Sequence, residues 1–474
     1  MTDLCFLTAL EMQRAIRERQ LSARELVQAH LDQIERVNPT VNAVVTLVAE
    51  RALAQADAAD RRLAGGREGE GGPLDGLPVA HKDLHDTAGI RTTYGSPLWA
   101  DHVPDHDDLI VERIRAAGGI TLGKTNVPEF GAGSHTFNPV FGVTRNPWDL
   151  GRSAGGSSGG AAVGLACGMF PIADGSDTGG SLRNPASFNN VVGFRPSPGR
   201  VPNWPTQLGW STLNVKGPMG RTVTDAALLL SALAGPDSRS PIALEEAGSR
   251  FAAPLDRDVR GLRVAWSPDL GGSVPVEPEV ADLVTRAAQV FTDLGCAVEA
   301  ACPRFAGAEE VFLTLRAWMF EVSYGPLIDA HPDQVKETIR WNAEQGRRLR
   351  GADVGRAEVL HTALHEEMRE FFTSYDVLLL PVSQVPPFPI DLEYPTEVAG
   401  VAMETYLDWM RSAYLVSATG CPALSVPAGF TPGGLPVGLQ IVGPHRADLS
   451  VLQIGHAFEQ ATGHWRQRPP VATR

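Results

Sequence analysis

Arg152-Ser-Ala-Gly-Gly-Ser-Ser-Gly-Gly-Ala-Ala-Val163 sets four glycines around two adjacent serines and then runs into a small-residue helix. A short step on, Asp174-Gly-Ser-Asp-Thr-Gly-Gly-Ser-Leu-Arg-Asn-Pro185 has the same character. Two glycine-rich turns this close can gather backbone N–H groups and hydroxyls in one place, because glycine lets backbone approach closely. The same composition would also serve a pair of tight turns between packed elements. Neither loop reads as a phosphate cradle. No Gly-Lys-Ser/Thr follows the first, and Gly155, Gly156, Gly159 and Gly160 do not fit GxGxxG. Neither serine sits in a GxSxG elbow.

Outward from these loops the pattern is α/β. Leu77-Pro-Val-Ala-His-Lys82-Asp reads as a short buried strand ending in polar groups. Leu109–Ala117 reads as a helix closed by Gly118 and Gly119, with a strand from Ile120. A strand at Leu262–Trp266 precedes a helix at Glu279–Leu294, and Val377–Pro381 is again a buried strand. This alternation predicts α/β organisation. Residues 305 to 374 read as a long helical stretch. The first 64 residues read as helices. Thr8-Ala-Leu-Glu11 and Ser22-Ala-Arg-Glu25 are capping boxes, and Asn38-Pro39 is expected to end the second helix. Ala49–Leu63 is amphipathic, and Gly65–Gly72 is expected to be a surface loop. With no linker in view, residues 1–474 are expected to form one large domain with a helical insertion at about 305–374.

The 49 glycines and 36 prolines make up about 18% of 474 residues, below the roughly 25–30% of low-complexity chains. Lys plus Arg number 41 against 55 Asp plus Glu, a formal net charge of −14. An acidic surface disfavours nucleic acid and anionic membranes. The longest apolar run, Ala161–Ala173, is too short to span a bilayer and is broken by Gly164, Gly168 and Pro171. The N-terminus lacks a secretory pattern, and five scattered cysteines fit reduced thiols, so a cytoplasmic location is expected.

Taken together, the paired loops resemble the amidase signature family of Ser-Ser-Lys hydrolases. The family core GGSSGG stands at Gly155–Gly160. The DxGGSxR-P element stands at Asp177, Gly179, Gly180, Ser181 and Arg183, with Pro185. The lysine-bearing strand PVAxKD matches Pro78-Val-Ala-His-Lys82-Asp83. From Lys82 to Ser157 is 75 residues, and from Ser157 to Ser181 is 24, as the family requires. Gly123-Lys-Thr-Asn-Val-Pro-Glu-Phe130 and Gly434-Leu-Pro-Val-Gly-Leu-Gln440 match further family segments. The resemblance implies a central mixed, twisted β-sheet covered by helices on both faces. It also implies roles: Ser181 as nucleophile, Ser157 as proton-relaying bridge after a cis peptide bond, and Lys82 as general base. The N–H groups of Thr178, Gly179 and Gly180 would form the oxyanion hole, and Asp177 and Arg183 would support the loop. The chemistry is coherent, because a serine needs a base and a lysine serves as one only when neutral. Lys82 ends an apolar stretch, which fits partial burial.

Rival signals are weaker. His81/His85, His102/His106 and His361/His365 are each four apart, but HExxH is absent. No metal or other cofactor is expected, and solvated surface histidines are the default reading. Asp107 or Asp108 reads as an N-cap. His135 is expected in a pocket or a structural role, and Cys167 in the core. Bulky residues of the insertion (Trp318, Phe320, Tyr324, Ile339, Trp341), with Met403, Tyr406 and Trp409, are candidate pocket walls.

The resemblance thus implies an amide-bond hydrolase that forms an acyl-serine on a small carboxamide, anilide or carbamate. A carbamate-cleaving urethanase or an esterase is a variant of that reading. A second reading is the amidase component of a Glu-tRNA/Asp-tRNA amidotransferase complex. There the middle motif runs close to NMDEFAMGSS, and Asn126-Val-Pro-Glu-Phe-Gly-Ala-Gly-Ser134-His135 departs from it. The expected partner is the small-molecule substrate, with no nucleic acid or membrane, and family members are often homodimers.

Overall fold

The structure is a computed structural model that describes residues 4–65 and 72–473. The glycine-rich loop expected at Gly65–Gly72 lies, apart from its two end glycines, outside the described residues. Thr8 and Ser22 each accept the N–H of the glutamate three residues on, and each glutamate returns the bond. Helices α1 (Ala9–Arg17) and α2 (Ala23–Val41) therefore begin where the capping boxes set them. Pro39 does not end α2. The helix runs on to Val41 and stops at Asn42, which takes the left-handed conformation at φ 53°. The Asn38 amide carries the exit by accepting the N–H groups of Ala43 and Val44, each at 2.8 Å.

The chain then alternates. In order come β1 (Val44–Leu47), α3 (Ala49–Ala64), β2 (Pro78–Lys82), α4 (Leu109–Ala116), β3 (Ile120–Thr125), α5 (Gly159–Ala166) and β4 (Ile172–Asp177). Next are α6 (Arg183–Asn189), β5 (Val192–Arg195), β6 (Val215–Gly220), α7 (Val223–Leu233), β7 (Arg263–Trp266), α8 (Pro278–Asp293) and β8 (Ala297–Ala300). The stretch expected to be helical is three helices, α9 (Ala308–Ala330), α10 (Glu337–Arg348) and α11 (Gly351–Ser374). There follow β9 (Val377–Pro381), α12 (Arg411–Ala418), β10 (Ala423–Phe430), β11 (Pro436–Val442), α13 (Asp448–Thr462) and a short last helix, α14 (Pro470–Thr473).

These eleven strands join one mixed sheet in the order β1-β3-β2-β4-β6-β5-β10-β11-β9-β7-β8, and four two-residue strands pair apart from it. β2 runs parallel to both β3 and β4, whereas β4–β6, β6–β5, β5–β10 and β10–β11 are antiparallel. Alternate side chains feed opposite faces. Val79, Ile172 and Leu379 enter a core with α4, α7, α8 and α13. Ala80 and Ala173 face the opposite side with α2, α3 and α5. Leu378 and Leu380 face that side too, with α9, α11 and α12. Both faces are covered, which is why these strands read as continuous apolar runs. The second glycine-rich segment begins as strand: Asp174 to Asp177 belong to β4, between β2 and β6, and the turn starts only at Thr178. β2 and β4 thus end side by side, with Lys82 on one and the serine loop following the other.

Candidate active site

Lys82 is fully buried, more than its sequence position implied. Its Nζ donates to Ser157 Oγ at 2.8 Å and to Ser176 Oγ at 3.0 Å. Burial drives the ammonium down to about 7. Asp177 and Asp174 act the other way, and Lys216 adds to the lowering. Lys82 is therefore substantially deprotonated at neutral pH, as a base must be.

The Gly156–Ser157 peptide is cis. Ser134 Oγ and Thr136 Oγ1 donate to the carbonyls of Gly156 and Gly155, at 2.7 and 2.8 Å, and fix that turn from outside. Behind it, a Cβ on Gly160 would lie 2.3 Å from Asn126 N and 2.6 Å from Ala43 O, so only glycine lets α5 pack this close. Ser157 and Ser181 line one cavity of about 480 Å³, and Ser158 N donates to Ser181 O at 3.2 Å. No hydrogen bond joins the Ser157 and Ser181 hydroxyls among the described residues.

Asp177 organises the loop that carries Ser181. Its Oδ1 accepts Gly180 N at 2.9 Å and Arg183 Nη2 at 2.9 Å, and its Oδ2 accepts Leu182 N at 3.1 Å. Arg195, which carried no signal in the sequence, bonds the Asp177 carbonyl and reaches its Oδ1 at 3.2 Å. Burial would raise this carboxyl, but the two guanidiniums hold it well below the usual range. Arg183 is tied in turn to Gln440 Oε1 at 2.5 Å, Ser417 Oγ at 2.6 Å and Ala413 O at 2.9 Å. The outlying Gly434–Gln440 segment thus contributes the glutamine that holds the loop. The Gly180 N–H is engaged by Asp177, which corrects the expected three-donor set. Among the described residues, the N–H groups of Thr178 and Gly179 have no protein partner, and both residues line the cavity.

His81 and His85 are not surface histidines. Both are buried, and their Nδ1 atoms contact Asp174 at 2.5 and 2.8 Å. The same carboxylate accepts Lys82 N at 2.8 Å. Burial lowers His85 to about 4, so at neutral pH its Nδ1–H donates to Asp174 and its Nε2 has no partner. Asp174, which stood in the sequence without a role, is the hub of this end of β2. Asp108 stands at the N-cap of α4 but does not cap it; its carboxylate pairs with Lys216 at 2.6 Å instead. No group of three His, Cys, Asp or Glu side chains among the described residues is placed to hold a metal.

A family model described as amidase matches residues 25–452. The chain belongs to the amidase signature family. An acylamidase of Rhodococcus erythropolis is 37% identical over 473 residues, covering 99% of this chain and 98% of that one. A solved bacterial aryl acylamidase of the same family is 31% identical with a TM-score of 0.91, covering 99% of both chains. A glutamyl-tRNA(Gln) amidotransferase chain of Chromohalobacter salexigens is 34% identical over 503 residues, covering 98% of both. The protein is a hydrolase of carbon–nitrogen bonds, an amidase.

Six aromatic side chains contribute to the walls of this amidase cavity. Tyr94, Trp99 and Phe130 line it together with Phe312, Phe320 and Tyr324 of α9, and the Phe130 and Tyr324 rings meet with centroids 4.9 Å apart. Of the bulky residues expected there, only Phe320 and Tyr324 reach the cavity. Trp318 and Trp341 lie outward, 36% and 37% exposed, and Ile339 packs in a small core with Phe320. Met403, Tyr406 and Trp409 are core; their neighbours Leu407 and Met410 form the wall. His135 is structural, with Nδ1 on Ser153 Oγ at 2.8 Å and Nε2 on Ile390 O at 3.0 Å. Cys167 is fully buried, and burial raises its thiol far above the ordinary value. Among the described residues, no helix is long and apolar enough to cross a membrane.

Proposed function

We propose that this amidase cleaves N-acyl arylamines and related small amides through an acyl-Ser181 intermediate. Neutral Lys82 draws the proton from Ser157, and Ser157 draws the proton from Ser181 as its Oγ attacks the carbonyl carbon. The N–H groups of Thr178 and Gly179 receive the oxyanion. As the C–N bond breaks, Ser157 protonates the leaving amine and is reprotonated by Lys82. Water then attacks the ester along the same relay and releases the acid. The observation that carries this reading is the buried 2.8 Å contact between Lys82 Nζ and Ser157 Oγ, at a lysine lowered to about 7. The aromatic walls and the acylamidase relatives support an aryl group in the cavity.

The test is a panel of anilides, aliphatic amides and carbamates, with mass spectrometry of the quenched protein. An acyl adduct on the Ser181 peptide is expected, and an adduct on any other residue overturns the reading. The similarity to glutamyl-tRNA(Gln) amidotransferase chains favours a second reading, release of ammonia from glutamine for partner proteins. Efficient cleavage of anilides and indifference to glutamine by the purified chain would exclude it.

A further inference from the structure

The protein carries a formal net charge of −14, yet among the described residues no aspartate or glutamate lines the catalytic cavity. Lys216 and Arg316 do line it. Lys216 has its counter-ion in Asp108 at 2.6 Å. Arg316 has none. Its side chain lies in the middle of α9, and the residue is 6% exposed. Its guanidinium bonds the neutral Asn342 Oδ1 and lies over the rings of Phe320, at 4.1 Å, and Tyr406, at 5.5 Å. No carboxylate forms an ion pair with it among the described residues.

A guanidinium does not lose its proton in a protein, so this charge is permanent. Burying it against neutral partners is costly unless an anion completes the site. Asn342 and the two rings support the plane of the group and leave its charge uncompensated. The open side is the cavity. Phe312, one helical turn earlier on α9, lies against the Ser181 loop: a Cβ on Gly179 would meet its Cζ at 2.7 Å. A turn of α-helix advances about 5.4 Å, so the Arg316 backbone stands about one turn along α9 from the residue that packs on the Ser181 loop.

We propose that Arg316 binds a carboxylate on the substrate, remote from the scissile amide, and that this amidase prefers acidic N-acyl compounds. The proposal rests on the catalytic reading above and names the substrate class for it. A planar carboxylate fits the two-pronged donor geometry of arginine better than any neutral acceptor.

The test uses matched anilides in which a carboxylate is replaced by methyl. On the acyl side the pair is glutaranilic acid and pentananilide; on the amine side it is 3-acetamidobenzoate and 3-acetamidotoluene. In the wild type, the ratio of kcat/KM for acid over methyl compound is expected to reach about tenfold or more in one arm, the worth of a charge-assisted hydrogen bond. Arg316→Gln should bring that ratio towards one, and Arg316→Lys should restore part of it. A wild-type ratio of one or less in both arms, or a ratio unmoved by Arg316→Gln, overturns the proposal. If Arg316→Gln does not fold, the wild-type ratio and Arg316→Lys decide. Turnover without preference sinks this proposal alone. If no compound is turned over, the catalytic reading fails, and calorimetry on Ser181→Ala decides the carboxylate claim: tighter binding of the acids supports it, and equal or absent binding overturns it.

Discussion

Lys82 and Asp174 are joined through the backbone and not by a salt bridge. The Lys82 N–H donates to Asp174 Oδ1 at 2.8 Å, while the Lys82 Nζ turns away to Ser157 and Ser176. The carboxylate is spent on that N–H and on His81 and His85. The strand end is fixed without a salt bridge that would hold the lysine protonated.

The pH dependence of turnover follows. The base form of Lys82 is the unprotonated one, and its midpoint lies at about 7. kcat/KM should fall about tenfold per pH unit well below 7 and level off above it. Asp174 and Asp177 act to raise that midpoint, so Asp174→Asn should move the acid limb to lower pH if the variant folds. A profile flat from pH 5 to 8 would remove Lys82 as the base.

Stability should carry the same signature with a definite sign. Unfolded, the lysine titrates at its ordinary value of 10.5; folded, at about 7. Between those values the unfolded chain binds the extra proton, so stability rises with pH. The slope is about 1.4 kcal/mol per pH unit for this one group. Lys82→Met should lose that contribution. Urea unfolding of both proteins at pH 7.5 and 9.5 measures it, and parallel pH dependences would contradict a depressed lysine.

The nucleophile and the bridge should separate from stability. Ser181→Ala should lower kcat by about 10⁴-fold or more with little change in unfolding midpoint. Ser157→Ala should also lose most of its turnover, because the serine-to-lysine link is cut. Retained turnover in Ser181→Ala is the outcome that the acyl-serine reading cannot survive.

Asp177→Asn should act mainly on the fold. It strips the carboxylate that Arg183 and Arg195 share in a site with no solvent exposure. Removing one partner of a buried ion pair typically costs about 3–5 kcal/mol. Denaturant titration should show that loss at high salt too, since buried charges are poorly screened.

Gly180→Ala should damage the loop directly. Gly180 has φ 117°, and a Cβ there would sit 2.7 Å from Ala413 Cβ and 2.8 Å from Asn184 Nδ2. Steady-state kinetics should show a loss of about 10²-fold or more, of the size caused by removing an oxyanion donor. Wild-type rates would mean that the loop tolerates a different backbone.

The serine and lysine segments were legible because each carries its own local chemistry: glycines at tight turns and an apolar strand ending in a lysine. The two capping boxes were equally local. Asp174 was not legible as a hub, since its three donors come from β2 and the turn after it. His81 and His85 read as solvated histidines in a segment of strand and turn; their burial was not legible, because the carboxylate that holds them, Asp174, comes from the neighbouring strand β4. The wall of α9 was read only in part. Which of its bulky residues face inward depends on how the helix sits over a loop more than a hundred residues earlier. Arg195 gave no signal because an arginine in a strand is ordinarily exposed, and its acceptors are set by the sheet order.

The ties of Arg183 also bear on when the enzyme becomes active during its own synthesis. Lys82, Ser157 and Ser181 leave the ribosome early, but the groups that anchor Arg183 are Ala413, Ser417 and Gln440. A nascent chain therefore holds Lys82, Ser157 and Ser181 long before it can brace the loop that carries Ser181. On the mechanism proposed above, hydrolytic competence would arrive with the late strand carrying Gln440, and an interrupted translation product that stops before it lacks the brace.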